Sequence, residues 1–175
     1  MFTKCVIGLS IMKKIINKNI LIKKLHHNAY RCHDSEITRD FYEGFLGLPL
    51  VEAFEINVTQ TGRASKVLHT FYAMRDNSYL AFFEAPNMPF LFKEQHDFDL
   101  HIALQVDKKE MLKFYSKGIS RGIETRGISD HGFIESIYFR DPNGYVIELT
   151  AIKKQVEQRL KKDPHHVLSE WIQNR

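Results

Sequence analysis

The amino-acid sequence predicts an α+β fold made of two copies of one module, each with a strand, a helix and three further strands. Two observations carry this prediction. The stretches HNAYRCHDSEITRDFYEGFLGLPL, from His27, and HIALQVDKKEMLKFYSKGISRGI, from His101, both run from a histidine through an apolar strand into a helical pattern. Each half also ends in a hydrophobic strand with one glutamate, YLAFFEAP with Glu84 and YVIELTAI with Glu148. Such self-similarity indicates a repeated structural unit.

The helices of the two modules have matching start signals. Asp34 or Ser35 suits the N-cap of the first helix, and Asp107 suits the second, because short polar side chains accept hydrogen bonds from the first free amides. The turn-rich stretch 85–89 is the natural boundary between the modules. We therefore expect an N-terminal extension (1–22), a first module (23–86), a second module (87–152) and a helical C-terminal tail (153–175).

Composition excludes several classes of protein. The 175 residues carry a net charge of +4, but the basic residues cluster at the two ends of the chain rather than on a central face, which argues against a nucleic-acid partner. The apolar run 5–12 is too short to cross a bilayer. Two distant cysteines make no disulfide framework, so we expect a cytoplasmic protein.

Strand alternation predicts which side chains share a face. In HIALQV the apolar alternate residues should pack on the helix, which leaves His101 on the other face, and the same logic places His27 and Glu148 there. Glu84 shares a face with Phe82, and we expect that face to be the same open one. All four polar side chains then converge if the two modules curl around a shared cavity.

Two histidines and two glutamates at equivalent positions of a repeat predict a metal site. A single histidine or glutamate on a strand is usually just solvent-exposed, so the recurrence is what favours ligation. Imidazole and carboxylate suit Fe(II), Ni(II), Zn(II), Mn(II) and Co(II). The ligand set lacks thiolate, which argues against a structural zinc site.

Three segments resemble the vicinal oxygen chelate superfamily, which includes glyoxalase I, extradiol dioxygenases and bleomycin-resistance proteins. They are LHHNAYRCHDSEITRDFYEGFLGLPL, DLHIALQV and SIYFRDPNGYVIELT. The resemblance implies paired βαβββ modules that form a curved mixed sheet around a metal cavity. By position it implies His27, His101 and Glu148 as ligands, with Glu84 as the fourth ligand of the glyoxalase I pattern.

The resemblance leaves two enzyme branches and one binding function open. The extradiol dioxygenase branch implies Fe(II) on three ligands, with Tyr138 (10 residues before Glu148) and His131 as catalytic groups acting on a catechol. The glyoxalase I branch implies a lyase or isomerase with Ni(II) or Zn(II) on four ligands, including Glu84. A protein that binds a small molecule without chemistry is the third alternative. We expect the dioxygenase.

Four further residues are predicted to contact the small-molecule substrate: Arg31, His69, Tyr72 and Phe82. Arg31 points into the cavity by alternation and suits an anionic group. His69 and Tyr72 lie on the strand that should pair with the Glu84 strand, and alternation alone leaves open which of the two lines the cavity. The resemblance also leaves open whether the modules pair within one chain or across a homodimer.

Overall fold

The computed structural model describes residues 21–58, 61–92, 100–153 and 163–174. The first module comprises β1 (His27–Cys32), α1 (Ser35–Arg39) with a π-helical continuation (Asp40–Phe45), β2 (Leu50–Val58), β3 (Ala64–Ala73) and β4 (Tyr79–Glu84). The second comprises β5 (His101–Gln105), α2 (Lys108–Ser120), β6 (Thr125–Asp130), β7 (Ile134–Arg140) and β8 (Val146–Ile152). A last helix, α3, spans Pro164–Gln173.

Each module forms a four-stranded mixed sheet with the same topology. The orders are β1-β4-β3-β2 and β5-β8-β7-β6, with the first pair of strands parallel and the others antiparallel. The predicted α+β fold with two βαβββ modules is therefore confirmed. The sheets remain separate within the described chain, and β1 and β5 lie at one edge of their respective sheets.

Asp34 explains where α1 begins. Its Oδ1 accepts hydrogen bonds from the backbone amides of Glu36 (2.8 Å) and Ile37 (2.9 Å), which satisfies two amides that lack a partner inside the helix. Asp107 takes the N-cap position of α2 with extended backbone angles, but its side chain makes no capping hydrogen bond. The predicted helix starts are thus correct, although only the first has a side-chain cap.

The two sheets share one hydrophobic core, which lies on the faces that pack against helices. Phe45, from the π-helical segment of the first module, contacts Phe139 of β7 edge-on, with ring centroids 5.1 Å apart. Both sheets contribute alternate residues to this cluster: Cys32, Tyr72, Leu80, Phe82, Ile102, Ile137, Phe139, Ile147, Leu149 and Ala151. Since each sheet turns its helix-packed face to this common core, the opposite face of each sheet, here called the open face, points away from it.

The turn between β7 and β8 locks the two modules together. Tyr42 of the first module donates a hydrogen bond from its hydroxyl to Asp141 Oδ2, at 2.9 Å, and both side chains are buried. Asn143 Nδ2 donates to Thr38 Oγ1 at 3.2 Å. Burial raises the pKa of Asp141, against which the donors Tyr42, Asn143 and Tyr145 act by stabilising the carboxylate.

The C-terminal helix α3 presents an apolar stripe to solvent: Val167, Leu168, Trp171 and Ile172 are all exposed. Residues 154–162 of the predicted C-terminal tail, and most of the predicted N-terminal extension, lie outside the described residues. None of the helices in the described part of the chain is long and apolar enough to cross a membrane.

Candidate metal centre

The open face of the second module brings His101 and Glu148 together. The parallel register pairs Ala103 with Glu148, so His101 points to the same face two residues earlier. His101 Nε2 lies 3.3 Å from Glu148 Oε2. Glu148 is only 6% exposed, and a carboxylate in such a place needs charged or donor partners. An imidazole and a buried carboxylate side by side are a donor pair suited to a divalent cation.

Tyr138 and His131 extend this pair into a chain of polar atoms. Tyr138 lies opposite Glu148 in the antiparallel register, and its hydroxyl lies 3.5 Å from Glu148 Oε1. His131 Nε2 is 2.8 Å from the same hydroxyl. Thus the structure places four predicted site residues, His131, Tyr138, Glu148 and His101, in sequence along one face.

His27 lies apart from this pair, on the open face of the first module. Its Nδ1 is 2.8 Å from Nδ1 of His26, and its ring contacts those of His69 and Phe71. Within the described residues, no three histidine, cysteine or acidic side chains lie close enough to hold one metal ion. One chain therefore presents the predicted ligands as a pair and a single histidine on two separate faces.

Glu84 does not share a face with His27, which corrects the expectation from the sequence. Glu84 pairs with Cys32 in the sheet, and its Oε2 accepts a hydrogen bond from the backbone amide of Ser35 at 2.7 Å. The residue thus lies on the helix-packed face. Alternation placed Glu84 with Phe82 correctly, but the strand YLAFFE is apolar on both faces, so the pattern could not indicate which face packs against the helix.

Alanine occupies the place in the first module that Glu148 occupies in the second. Ala81 pairs with Ala29, two residues after His27, just as Glu148 pairs with Ala103, two residues after His101. The repeat is thus asymmetric at this position, and the first module contributes one histidine but no carboxylate there.

Two of the predicted substrate residues also lie on the helix-packed face. Tyr72 and Phe82 are both fully buried in the shared core, so the structure does not bring them to the open face where the substrate contacts were expected. Burial raises the pKa of Tyr72 to about 12. The reason is again register, because Tyr72 pairs with Leu80, one residue out of phase with the open face.

Of His69 and Tyr72, the two candidates on β3, it is His69 that lies on the open face. It is buried, its Nδ1 lies 2.9 Å from the carbonyl oxygen of Phe82, and its ring stacks on Phe83 at 3.7 Å between centroids. Burial lowers the pKa of His69.

Arg31, another predicted substrate residue, donates from Nη2 to the carbonyl oxygens of Ala85 and Met88, so its guanidinium holds the loop after β4.

Sequence reasoning missed an aromatic wall on the open face of the first module. Phe71 and Phe83 flank His69, and Phe54 stacks on Phe71 with ring centroids 6.0 Å apart. Alternation from His69 would have found Phe71 and, through the pairing of His69 with Phe83, the second ring. Recognising this wall required the register between β3 and β4, which the sequence alone did not reveal. Such a wall suits a flat, apolar ligand.

A cavity lies away from these open faces. It measures about 720 Å³ and sits between the modules on their helix-packed side, where Met74, Leu104, Val106 and Phe114 are among its lining residues. None of the described residues that line it is a predicted metal ligand.

Comparisons with known proteins agree with this architecture. Residues 24–149 match the family model described as the Glyoxalase/Bleomycin resistance protein/Dioxygenase superfamily. A search of curated proteins gave no significant match. The solved structures with similar folds include the fosfomycin resistance protein FosX from Listeria monocytogenes, with 21% identity, a TM-score of 0.60, and 81% of this chain and 100% of that chain covered.

Two further structures show the same likeness. A glyoxalase/dioxygenase from Nostoc punctiforme has 22% identity and a TM-score of 0.60, with 80% of this chain and 97% of that chain covered. TnmS3, an antibiotic binding protein from Streptomyces sp. CB03234, has 20% identity and a TM-score of 0.56, with 77% of this chain and 100% of that chain covered. At these identities the likeness establishes a shared fold.

Proposed function

Because the chain belongs to the Glyoxalase/Bleomycin resistance protein/Dioxygenase superfamily, we propose that it is a divalent-metal-dependent enzyme that opens the ring of a catecholic substrate. The observation that carries this proposal is the chain of atoms from His131 through Tyr138 to Glu148 and His101. Extradiol chemistry needs groups that can donate a proton next to the metal ligands. Here His131 and Tyr138 are the possible proton donors, and Glu148 and His101 are the proposed ligands.

The donor set fits Fe(II) or Mn(II). His101 and Glu148 would hold the cation with one imidazole and one carboxylate, and the family resemblance implies His27, which lies on the separate open face of the first module, as the third ligand. The fit rests on Glu148, whose buried carboxylate already lies beside an imidazole. FosX from Listeria monocytogenes was crystallised with Mn(II) and a dihydroxypropylphosphonic acid, which supports a divalent cation in this fold. When bound, such a cation would supply Lewis acidity toward two neighbouring oxygens and a site for dioxygen.

Tyr138 and His131 would donate and accept protons during the reaction. The hydroxyl of Tyr138 can donate a hydrogen bond to an oxyanion that develops on the substrate, and His131 Nε2 at 2.8 Å can return a proton to it. In the reaction, the ring bond beside one hydroxyl-bearing carbon breaks and both atoms of dioxygen enter the product, so no external reductant is needed. The aromatic wall (Phe54, His69, Phe71 and Phe83) would pack against the flat ring.

A glyoxalase I-like function has less support, since that function needs four protein ligands. Glu84 lies on the wrong face, and Ala81 occupies the place of the missing carboxylate. Binding of a flat aromatic molecule without chemistry is the second candidate, and the aromatic wall is the observation that favours it. The antibiotic-binding TnmS3 has a similar fold.

The test is oxygen consumption by anaerobically prepared protein loaded with Fe(II), with 2,3-dihydroxybiphenyl and simple catechols as substrates. The expected result is one dioxygen consumed per substrate and a yellow ring-opened product. Fosfomycin and a glutathione hemithioacetal serve as comparison substrates, with Mn(II) and Ni(II) respectively. Full Fe(II) loading without turnover of any catechol would overturn the proposal, and tight binding of the catechol in that case would establish the binding function.

A further inference from the structure

We infer that the groove between the two modules is a docking site for an N-terminal segment of the same chain, residues 5–16 (CVIGLSIMKKII). This intermodule groove is the cavity of about 720 Å³ on the helix-packed side. Its apolar lining comes from both modules and includes Leu46, Leu48, Met74, Leu104, Val106 and Phe114. The groove lies away from the open faces, so the inference does not depend on the proposed chemistry.

The intermodule groove is an uncovered margin of the hydrophobic core. Met74, Leu104 and Phe114 pack against the core cluster but are only partly buried. Apolar surface of this kind is stabilised when another apolar segment removes it from water. Sites that hold a ligand typically measure about 300–1,000 Å³, and the groove falls within that range. It can therefore accommodate several apolar side chains.

The first described residues lie at the rim of this groove. Lys24 Nζ donates a hydrogen bond to the carbonyl oxygen of Asp76 at 2.6 Å, and Asp76 lines the groove. Leu21 and Ile22, just before Lys24, are 90% and 83% exposed, so the described residues leave this apolar stretch uncovered. Met12 lies 12 positions before Lys24, and an extended chain spans about 3.3–3.6 Å per residue. Residues 5–16 are therefore long enough and near enough to lie along the groove.

The segment complements the groove in polarity and in charge. Its large apolar residues are Val6, Ile7, Leu9, Ile11, Met12, Ile15 and Ile16. No acidic residue precedes Asp34 in the sequence, whereas six lysines lie within residues 1–24. The charged residues described in the groove lining are three acids and one base: Asp76, Asp107, Glu110 and Arg75. Opposite charges on two surfaces favour their association and fix how they align.

The exposed stripe of α3 is less well placed to fill the groove. Where the chain leaves β8, the Lys153 amide donates to the carbonyl oxygen of Phe133 at 2.9 Å, and Lys153 Nζ lies 2.7 Å from Asp130 Oδ2. Both contacts hold that end of the chain at the β6–β7 turn, which contributes none of the described lining residues. Lys24, in contrast, already lies at the rim. A segment tethered beside its site has an effective concentration of about millimolar, so a weak contact suffices to keep it docked.

The test is photocrosslinking in the full-length protein. The photoreactive amino acid p-benzoylphenylalanine replaces Met74 in the groove or, as the matched control, Leu112, which is exposed on α2 and lies outside the described groove lining. Mass spectrometry of a mixture of unlabelled and isotope-labelled chains separates contacts within one chain from contacts between copies. Position 74 should crosslink to residues 5–16 of the same chain, and position 112 should not. Crosslinks from position 74 to α3 or to another copy, or none to the segment, would overturn the inference.

Alkylation of Cys5 is a second readout and leaves the groove of the wild-type protein unaltered. Cys5 belongs to the segment, whereas Cys32 is buried in the core, and mass spectrometry distinguishes the two products. Met74→Lys places a positive charge in the groove and should expose the segment, so Cys5 should react with iodoacetamide at least about tenfold faster, the equivalent of losing one buried apolar side chain. Leu112→Lys is the control and should leave the rate unchanged. Circular dichroism checks that both variants fold, and equal rates in all three folded proteins would refute the docking.

Discussion

Glu84 accepts a hydrogen bond from the backbone amide of Ser35, with 2.7 Å between Oε2 and N. The carboxylate thus lies at the start of α1, where it satisfies the first helix amide and lies near the positive end of the helix dipole. His27 lies on the other face of the same sheet. This single relationship gives Glu84 a structural role and leaves three protein ligands for the proposed metal site.

Replacing Glu84 with Gln should therefore lower stability and leave metal binding unchanged. The loss of a charged acceptor at a helix start should cost about 1 kcal/mol in the free energy of unfolding, measured with urea. Mn(II) affinity, measured by calorimetry, should match that of the wild type. A large loss of Mn(II) affinity in a folded E84Q protein would instead support the four-ligand alternative.

Replacing Glu148 with Gln should abolish most metal binding. Removal of a partner that only supports a ligand costs roughly 10–100-fold in metal affinity, so removal of the ligand itself should cost more than about 100-fold. Thr150→Val is the matched control, because Thr150 lies on the same face of β8 two residues later. Equal affinities for E148Q and T150V would contradict the proposed ligand.

Tyr138→Phe and His131→Gln should slow turnover of a catechol while metal content stays constant. Removal of a positioned acid or base typically costs about 10²-fold or more in rate, and we expect that loss in kcat with little change in KM. The two residues act through one hydrogen bond, so the double variant should be barely slower than either single variant. Additive losses would show that they act separately.

Tyr42→Phe should lower the free energy of unfolding by weakening the contact between the two modules. The substitution removes the buried donor to Asp141 Oδ2 and keeps the ring in the core, so the cost should be about 1–3 kcal/mol. Ser120→Ala removes an exposed hydrogen bond to Lys117 and should change stability by less than about 0.5 kcal/mol. Thermal and urea unfolding give the free energy of unfolding of both variants. Equal values would show that the Tyr42–Asp141 hydrogen bond does not stabilise the contact between the modules.

The buried His69 should make the folded protein less stable in mild acid than at neutral pH. Burial lowers its pKa in the folded protein, so below about pH 6.5 the unfolded chain binds a proton that the folded chain resists. The free energy of unfolding should therefore fall as the pH drops from 7.5 to 5.5. The His69→Phe protein, which cannot titrate there, should lose less stability over the same interval, and an identical loss in both proteins would contradict the assignment.

Much of the candidate site was predictable because the signals are local. His101, Glu148 and Tyr138 each follow from alternation on strands with one clearly apolar face, and the structure places them together. Glu84 and Phe82 were placed on the wrong face because β4 is apolar on both faces, whereas for Tyr72 alternation left the face open. In each case the choice of face depends on how β3 and β4 pair and on where α1 packs.

The sequence by itself determined the repeat of the βαβββ module, the start of α1 at Asp34 and the polar residues carried by β5, β7 and β8, because periodicity and capping are properties of short segments. The tertiary structure decided that Glu84 supports a helix and that His27 stands apart from the His101–Glu148 pair. Both outcomes follow from long-range packing. The helix-packed faces of both sheets bury their apolar side chains in one core, so the side chains of the open faces lie on the opposite side of each sheet.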